Sequence, residues 1–527
     1  MASSHAKAGE STGRPTSVWT LVQKTPDMDV LPGKWVYDEK FNLFTLEYEA
    51  RARWVACGNK EQEDSWNIED VYAAVANGTS LRIFLVYMAI HDLECQQFDF
   101  NTAFLNAPIP EGKRYYVEQP TGLAETSLPV PSGPYKYSEL VCLLRRALYV
   151  LRRSPLYWFN TINPILMELG FSALDTDACL FINKGREALI ILYVDDLLIA
   201  TLRNEDIEDI ANQLKSRFKL KSMGEVRTFL GYDIVRNRKE RTVFVSQQRY
   251  VQAIIKKFEY DGLKGANTPW PPDYKIYGGA SPAIEMPEIQ KPYIKKTGSL
   301  NYTLMGSRPD ITYTVNKLCE GNAKPTDRHD YVMRHLFRYL VDNSDRGLLL
   351  GGLSFPRQPD LDFRTYADAS YADDIETRHS TAGHIVFVTT GPVFWKSKKQ
   401  AFVTLSTTEA EFTNLVPAAR SADWVSQMLE ELGMAQPQRI LFTDSANARA
   451  TALRTPGRNR CIDIRLKWVT EQIEQKRFEV IHIPGTDMVA DGLTKGLKAD
   501  KHGKFVKMLV LTRRDIPWLN TKKMEDT

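Results

Sequence analysis

The chain has 527 residues with a formal net charge of +3, and is 43% hydrophobic, 11% aromatic and 25% charged. That is the balance of a folded protein of about three or four domains at roughly 100–200 residues each, which excludes a lone small binding module and extended disorder. No apolar run reaches the roughly 18 residues of a membrane-spanning helix, and the polar start Met1–Ser17 lacks a signal-peptide core, so a soluble intracellular protein with no membrane partner is expected. The six cysteines stand singly, without C-x-x-C pairs or His at zinc-ligand spacing, which predicts free thiols and no structural zinc. A near-balanced charge leaves any nucleic-acid function to be argued from sites.

In chain order, residues 1–32 are rich in Ser, Thr, Lys and Gly and read as a flexible leader. Residues 33–266 alternate apolar runs with helical patterns, a mixed α/β stretch. Within it Asn204–Leu220 predicts an amphipathic helix, with Ile207, Ile210, Leu214 and Phe218 on one face and Asn204 as N-cap. The Pro- and Gly-rich interval Asn267–Pro292 opens a linker and helical region over 267–358. There Arg328–Leu340 sets Arg334 and Arg338 one turn apart among Tyr331 and Tyr339, which fits a face tracking a nucleic-acid backbone or a merely solvated one. Residues 359–500 form a compact unit of three short strands, a long helix, then strand, helix, strand and helix, and 501–527 a tail.

Two sets of carboxylates carry chemistry. In Leu189–Ala200 (LIILYVDDLLIA), Asp195 and Asp196 interrupt a β-prone run at the tip of a strand-turn-strand pattern; turn chemistry alone would also place Asp there. Upstream, Gln97–Pro108 (QFDFNTAFLNAP) sets Asp99 among aromatic residues, costly unless it is paired or binds a cation. Three carboxylates from two strands would hold two divalent metals for an in-line phosphoryl displacement. The second set is Asp368 (YADAS), Glu411 (LSTTEAEF), Asp444 (LFTDS) and Asp491 (ADGLTK), from two strands and two helices. Ser406 and Glu409 form a capping box that consumes Glu409 and leaves Glu411, further into the helix, free for metal. Taken singly, Asp444 could cap a helix at Ser445 and Asp491 could be a first-turn acid. His482 reads as a packed strand residue.

These residues resemble the reverse transcriptase and ribonuclease H region of the Copia-type LTR retrotransposon Pol polyprotein. The resemblance runs from Gly33 to about Leu497, through RARWVACG, FDFNTAFLN, RALYVLRRSPLYW, YVDD, FLG and SRPDI, then STTEAEF and ADGLTK, in family order. It implies a fold both α/β and α+β, multidomain: a right-hand polymerase with fingers and palm over 33–266 and thumb or connection within 267–358, then a ribonuclease-H-like domain over 359–500. Asp99, Asp195 and Asp196 would be the metal ligands of polymerisation, and Asp368, Glu411, Asp444 and Asp491 those of hybrid cleavage, with two Mg²⁺ per site and Mn²⁺ as a substitute. Phe104 would exclude a ribose 2′-hydroxyl, Arg51 or Arg53 would meet the triphosphate, and Val194 and Arg153 would lie at the nucleotide. Leu230 and Gly231 would grip the primer end. Arg153 stands where the family often has Gln, and Cys461 where it usually has His.

The implied function is RNA- and DNA-directed DNA synthesis with ribonuclease H activity in retrotransposon replication. Its partners would be an RNA template, a DNA primer, the RNA–DNA hybrid, dNTPs, and the capsid and integrase of the same element. The implied place is the cytoplasm, in virus-like particles, with nuclear access of the product. The chain reads as an excerpt, a processed product or a truncated copy of a longer polyprotein. The competing reading is a decayed or domesticated nucleic-acid-binding protein without turnover.

Overall fold

The computed structural model describes residues 18–42, 47–62, 72–120, 136–277, 282–352, 362–436, 439–453 and 460–517; of Arg51 and Cys461 the backbone alone is described. The architecture is the expected mixture of α/β and α+β units.

A six-stranded antiparallel sheet runs Leu220–Glu225, Glu94–Phe100, Asp196–Thr201, Ala188–Tyr193, Leu180–Asn183, Ser172–Ala173. Its central strands are almost wholly aliphatic because both faces are covered, and the period of two sends alternate residues to opposite cores. Leu189, Ile191 and Leu198 pack towards helix Gly78–Ile90, whereas Ile190, Leu197 and Ile199 pack with Ile207, Ile210 and Leu214 of helix Asn204–Lys215 and Trp158 of helix Ser154–Glu168. The expected apolar face of the helix after Asn204 is present, but the helix stops at Lys215 and Leu220 already begins a strand. Arg203 is its N-cap, and the Asn204 side chain accepts from Gln96 Nε2 at 3.2 Å instead of capping.

Boundaries drawn from composition shift in three places. Residues 1–32 are not all leader: Trp19–Gln23 pairs antiparallel with Leu140–Leu144, and Val30–Leu31 pairs with Tyr116–Val117, because Leu21 and Leu31 find apolar cover there. A five-stranded sheet runs Thr228–Phe229, Tyr232–Asn237, Thr242–Ser246, Arg346–Gly351, Leu511–Arg513, joining strands from either side of the boundary at 266 to one beyond that at 500. The tail thus begins as helix Ala499–Met508 and an edge strand. In the Pro-rich interval, Trp270 and Ile276 are buried against the helical cluster of Leu300, Leu336 and Leu340, since two large apolar groups outweigh the local turn chemistry. Helix Asp327–Asp342 exposes Arg334 and Tyr331, but Tyr339 is buried and Arg338 donates to the carbonyls of Lys264 and Gly265 at 2.8 and 3.3 Å. Half of its expected polar face therefore serves the protein itself.

The C-terminal sheet runs Gly391–Lys399, Thr381–Val388, Phe363–Ser370, Arg439–Thr443, Phe478–His482, with the last two contacts parallel. The long helix Thr407–Glu431 crosses it. Its core is continuous with that of the six-stranded sheet through Leu348 and Leu350. Arg82 marks the junction: its buried guanidinium donates to the carbonyls of Val393, Met305 and Gly306 at 2.7, 3.0 and 2.9 Å and lies 4.2 Å from the Trp395 ring.

Candidate active sites

Tyr193 pairs with Asp196, so Val194 and Asp195 form the whole turn of the central hairpin. Asp196 is in register with Asp99 on the next strand, and opposed residues of an antiparallel pair share a face, so these two positions are neighbours; Asp195 adjoins them in the chain, at the turn, but the three are not gathered at the metal-ligand spacing seen in the second set. The Phe100 amide donates to the Asp195 carbonyl at 2.8 Å, tying the turn to the adjacent strand. Val194 has φ +56°, a region costly for a β-branched residue. Its carbonyl accepts from Trp158 Nε1 at 2.6 Å, a tertiary contact that holds the strained tip. Lys221 is the partner of Asp99 on its other side, so a cation extends the row of acids. Only strand register reveals it.

Phe104 lies in the short helix Ala103–Asn106 that follows the Asp99 strand. Its ring meets Tyr149 edge-on at 5.1 Å, and the Arg53 guanidinium lies 5.8 Å from the same ring. Tyr149, not singled out in the sequence, thus gathers two of the expected nucleotide-site residues. Arg53 comes from hairpin Gly33–Asn42/Glu47–Ala56, and the Arg51 side chain lies outside the described residues. Arg153 is buried and donates to Tyr115 Oη at 3.4 Å, beside the Tyr115–Tyr157 hydroxyl pair at 2.9 Å.

Leu230 and Gly231, at φ +48° and +76°, close the two-residue turn between Phe229 and Tyr232. Tyr302 of helix Gln290–Gly306 donates its hydroxyl to the Leu230 carbonyl at 2.6 Å, and a Cβ at Gly231 would stand 2.5 Å from that hydroxyl. This position therefore needs glycine twice over, for its backbone and for the close approach.

The second set converges more tightly. Carboxylate oxygens of Asp368, Glu411 and Asp444 lie within 4.8 Å of one another. Asp368 is two residues from the end of its strand, Asp444 directly follows strand Arg439–Thr443, and Asp491 lies in the 3₁₀ turn Val489–Leu493. Ser445 caps its own helix, accepting from Ala448 N at 3.1 Å, which leaves Asp444 uncommitted to that role. Ser406 accepts from Glu409 N at 3.1 Å, while Glu409 reaches back one residue further than expected, to Leu405 N at 2.7 Å. Glu411 is thereby separated from the cap and accepts from Ala369 N at 3.1 Å.

Burial, then repulsion by Asp368 and Asp444, pushes the Glu411 carboxyl well up from its ordinary range; burial likewise raises Asp368, with Lys495 opposing and Asp491 adding to the rise. Acids crowded in this way, all oxygen donors, suit a small hard divalent cation. Lys495 supplies positive charge here, 2.7 Å from Asp491 and 3.9 Å from Asp368, and Thr494 donates to Asp368. Both lie in the ADGLTK run, whose Thr-Lys end was the available signal. His482 is exposed at the rim instead of packed, its Nε2 3.0 Å from the Asp444 carbonyl.

An acid-tipped hairpin on an antiparallel sheet, followed by a second sheet that gathers acids at its strand ends, places the chain in the class of mixed α/β multidomain proteins with two acid-bearing sites. Residues 16–272 match the family of reverse transcriptases (RNA-dependent DNA polymerases). The retrovirus-related Pol polyprotein from transposon TNT 1-94 of Nicotiana tabacum is 28% identical over 491 residues, 92% of this chain and 36% of that protein. An uncharacterized mitochondrial protein of Arabidopsis thaliana is 30% identical over 237 residues, 45% of this chain and 94% of that protein. A foamy viral protease–reverse transcriptase solved with dsDNA aligns at a TM-score of 0.45 with 12% identity, over 88% of this chain and 80% of that one. The chain belongs to the reverse transcriptase family of Copia-type retrotransposon Pol polyproteins. It spans about a third of the length of the curated polyproteins it matches.

Proposed function

We propose that the chain carries out RNA-directed and DNA-directed DNA synthesis at the Asp99–Asp195–Asp196 hairpin and hydrolyses the RNA of the resulting hybrid at Asp368, Glu411, Asp444 and Asp491. The observation that carries this is the register of Asp196 with Asp99 beside a turn strained at Val194 and held by Trp158, an arrangement that a merely structural hairpin does not require. Each carboxylate set would hold two divalent cations, Mg²⁺ with Mn²⁺ as a substitute; when bound, such a pair stabilises the attacking and leaving oxygens of phosphoryl displacement.

The protein's own groups orient the reactants. Phe104, braced by Tyr149, would bound the sugar pocket and disfavour a ribose, while Arg53 or Arg51 would meet the triphosphate of an incoming dNTP. Val194 would sit beneath the nucleotide. Leu230 and Gly231 would hold the primer end, and Arg153 would support the pocket from below instead of contacting substrate. On this reading the region over 33–266 is fingers and palm, and the helical region after 267 is thumb or connection. The RNA template, DNA primer and hybrid are the partners, with capsid and integrase of the same element as assembly partners and the cytoplasmic particle as the setting.

The test is Mg²⁺-dependent primer extension on an RNA template, beside an Asp195→Ala/Asp196→Ala variant. Extension by the wild type and its loss in the variant is the expected result. Folded wild type that binds template–primer without extending it would instead identify a retroelement-derived binding protein.

A further inference from the structure

The C-terminal sheet carries a cationic feature distinct from its carboxylates. Its edge strand Gly391–Lys399 ends in the run KSKKQ, where alternation turns Ser397 inward and sends Lys396 and Lys398 out to solvent. Opposite them on the neighbouring strand are His384 and Ala382. Together with Gln400 and Arg420 these residues line a cavity of about 360 Å³ between the sheet edge and helix Thr407–Glu431.

Charge and polarity both leave this cavity incomplete. Lys399 is neutralised by Glu320 at 3.1 Å and by Asp374, whereas Lys396, Lys398 and Arg420 form no ion pair among the described residues. Gathered like charges repel unless an anion joins them. Gln400 is only 7% exposed; its Nε2 donates to the Ala410 carbonyl at 2.9 Å, and its Oε1 has no partner. A buried acceptor without a donor calls for a bound one. Ala401, Phe402, Val416 and Pro417 add apolar wall beside the polar Thr413 and Asn414. The complement is a molecule with repeated negative charge, a hydroxyl donor and an apolar body, which is a nucleic-acid strand.

The cavity also adjoins the acidic cluster. Asn414, on its wall, follows Glu411 by one helical turn and donates to the Asp368 and Gly383 carbonyls at 2.7 and 2.8 Å. We propose that this cavity binds the sugar-phosphate backbone of the strand that passes through the Asp368–Glu411–Asp444 cluster. Lys396, Lys398 and Arg420 engage phosphates, and Gln400 Oε1 accepts from a sugar hydroxyl. The proposal rests on the nuclease reading above, within which these are positioning residues.

The experiment uses the full chain, with Lys396→Gln/Lys398→Gln/Arg420→Gln and, separately, Gln400→Leu. Binding of a fluorescent RNA–DNA hybrid and of the matched DNA duplex is titrated at several salt concentrations, and hydrolysis of the hybrid is timed. The triple variant should reduce the slope of log affinity against log salt by about 2–3, near 0.9 per lost phosphate contact, and raise the KM of hydrolysis about tenfold or more while kcat is kept. Primer extension retained by the triple variant reports that it folds. Gln400→Leu should weaken the hybrid more than the DNA duplex. An unchanged salt slope and KM overturn the proposal, and equal losses on both duplexes overturn its sugar-hydroxyl contact. A wild type that binds the hybrid without cutting it refutes the nuclease reading instead, while the salt slopes still decide whether the cavity binds backbone.

Discussion

Lys495 stands where a second reading of charge is possible, as a cation held by acids that a metal would otherwise compensate. Its ammonium lies 2.7 Å from Asp491 and 3.9 Å from Asp368, while the Lys side chain is 44% exposed. Solvent screens a pair so open, so its removal should cost only about 1 kcal/mol directly. The larger effect comes from the carboxylates left facing one another. Lys495→Met is therefore expected to lower the melting temperature of the metal-free chain by a few degrees. Saturating Mg²⁺ should recover most of that loss, because a ligand that binds only the folded state stabilises it. Melting curves with and without Mg²⁺ test this; a deficit that Mg²⁺ leaves intact would make Lys495 a packing residue. At this scale the acids were legible from sequence, since Asp368, Glu411, Asp444 and Asp491 stand in distinctive short runs. Lys221 was not, because only the pairing of Leu220–Glu225 with Glu94–Phe100 brings it opposite Asp99.

The loop that leads from strand Leu140–Leu144 into helix Ser154–Glu168 is strained in a way its sequence conceals. Val150 holds φ +73° and is 55% exposed, so no burial of its side chain compensates the backbone. The loop is fixed by its neighbours: the Tyr149 carbonyl accepts from Ala56 N at 3.3 Å, and a Cβ at Gly58 would stand 2.1 Å from the Val150 carbonyl. A β-branched residue in this region costs on the order of 1–3 kcal/mol, against roughly 0.5–1 kcal/mol for the extra freedom of glycine in the unfolded chain. Val150→Gly should accordingly stabilise the protein by about 1 kcal/mol, read as a higher denaturant midpoint. A lower midpoint would mean that the exposed side chain makes contacts that matter more than the backbone. The same element shows how tertiary packing sets the surroundings of Arg153. The run LYVLRRSPLYW gives no hint that Tyr115, from a segment 38 residues earlier, accepts from its guanidinium.

Across the whole molecule, a buried polar network joins the helical region to the C-terminal helix. Arg308 and Asp310 pair at 2.8 Å with both side chains inaccessible, Tyr339 donates to Asp310 at 2.7 Å, and His502 Nε2 lies 3.0 Å from the Tyr339 hydroxyl. Burial, aided by Arg346 and Arg308 and opposed by Asp310, holds the His502 imidazole down to about 4. An unfolded histidine takes up its proton near pH 6.5, so between roughly pH 6.5 and 4 the unfolded state binds more protons than the folded one. Stability contributed by neutral His502 is therefore full above pH 6.5 and is lost as the pH falls through that window, by up to about 3 kcal/mol. His502→Gln should flatten the fall of melting temperature between pH 6.5 and 4. An identical profile in the variant would assign the acid sensitivity elsewhere, for example to buried His384.

What the sequence determined by itself is the set of acidic runs and their order along the chain. Short runs such as YVDD, STTEAEF and ADGLTK place acids at turns, strand ends and helix starts, and local spacing preserves that information. Alternation and helical periodicity likewise announced the buried strands and the face of Ile207, Ile210 and Leu214. Tertiary structure alone decided where units begin and end, because the sheet from Thr228–Phe229 to Leu511–Arg513 recruits strands far apart in sequence, and composition carries no trace of a strand's partner. It also decided which cations face solvent and which are spent within the fold, as Lys396 against Lys399 and Arg334 against Arg338 show. The physical reason is common to both: pairing and neutralisation are properties of two surfaces brought together, and a linear sequence specifies each surface without saying which other one it will meet.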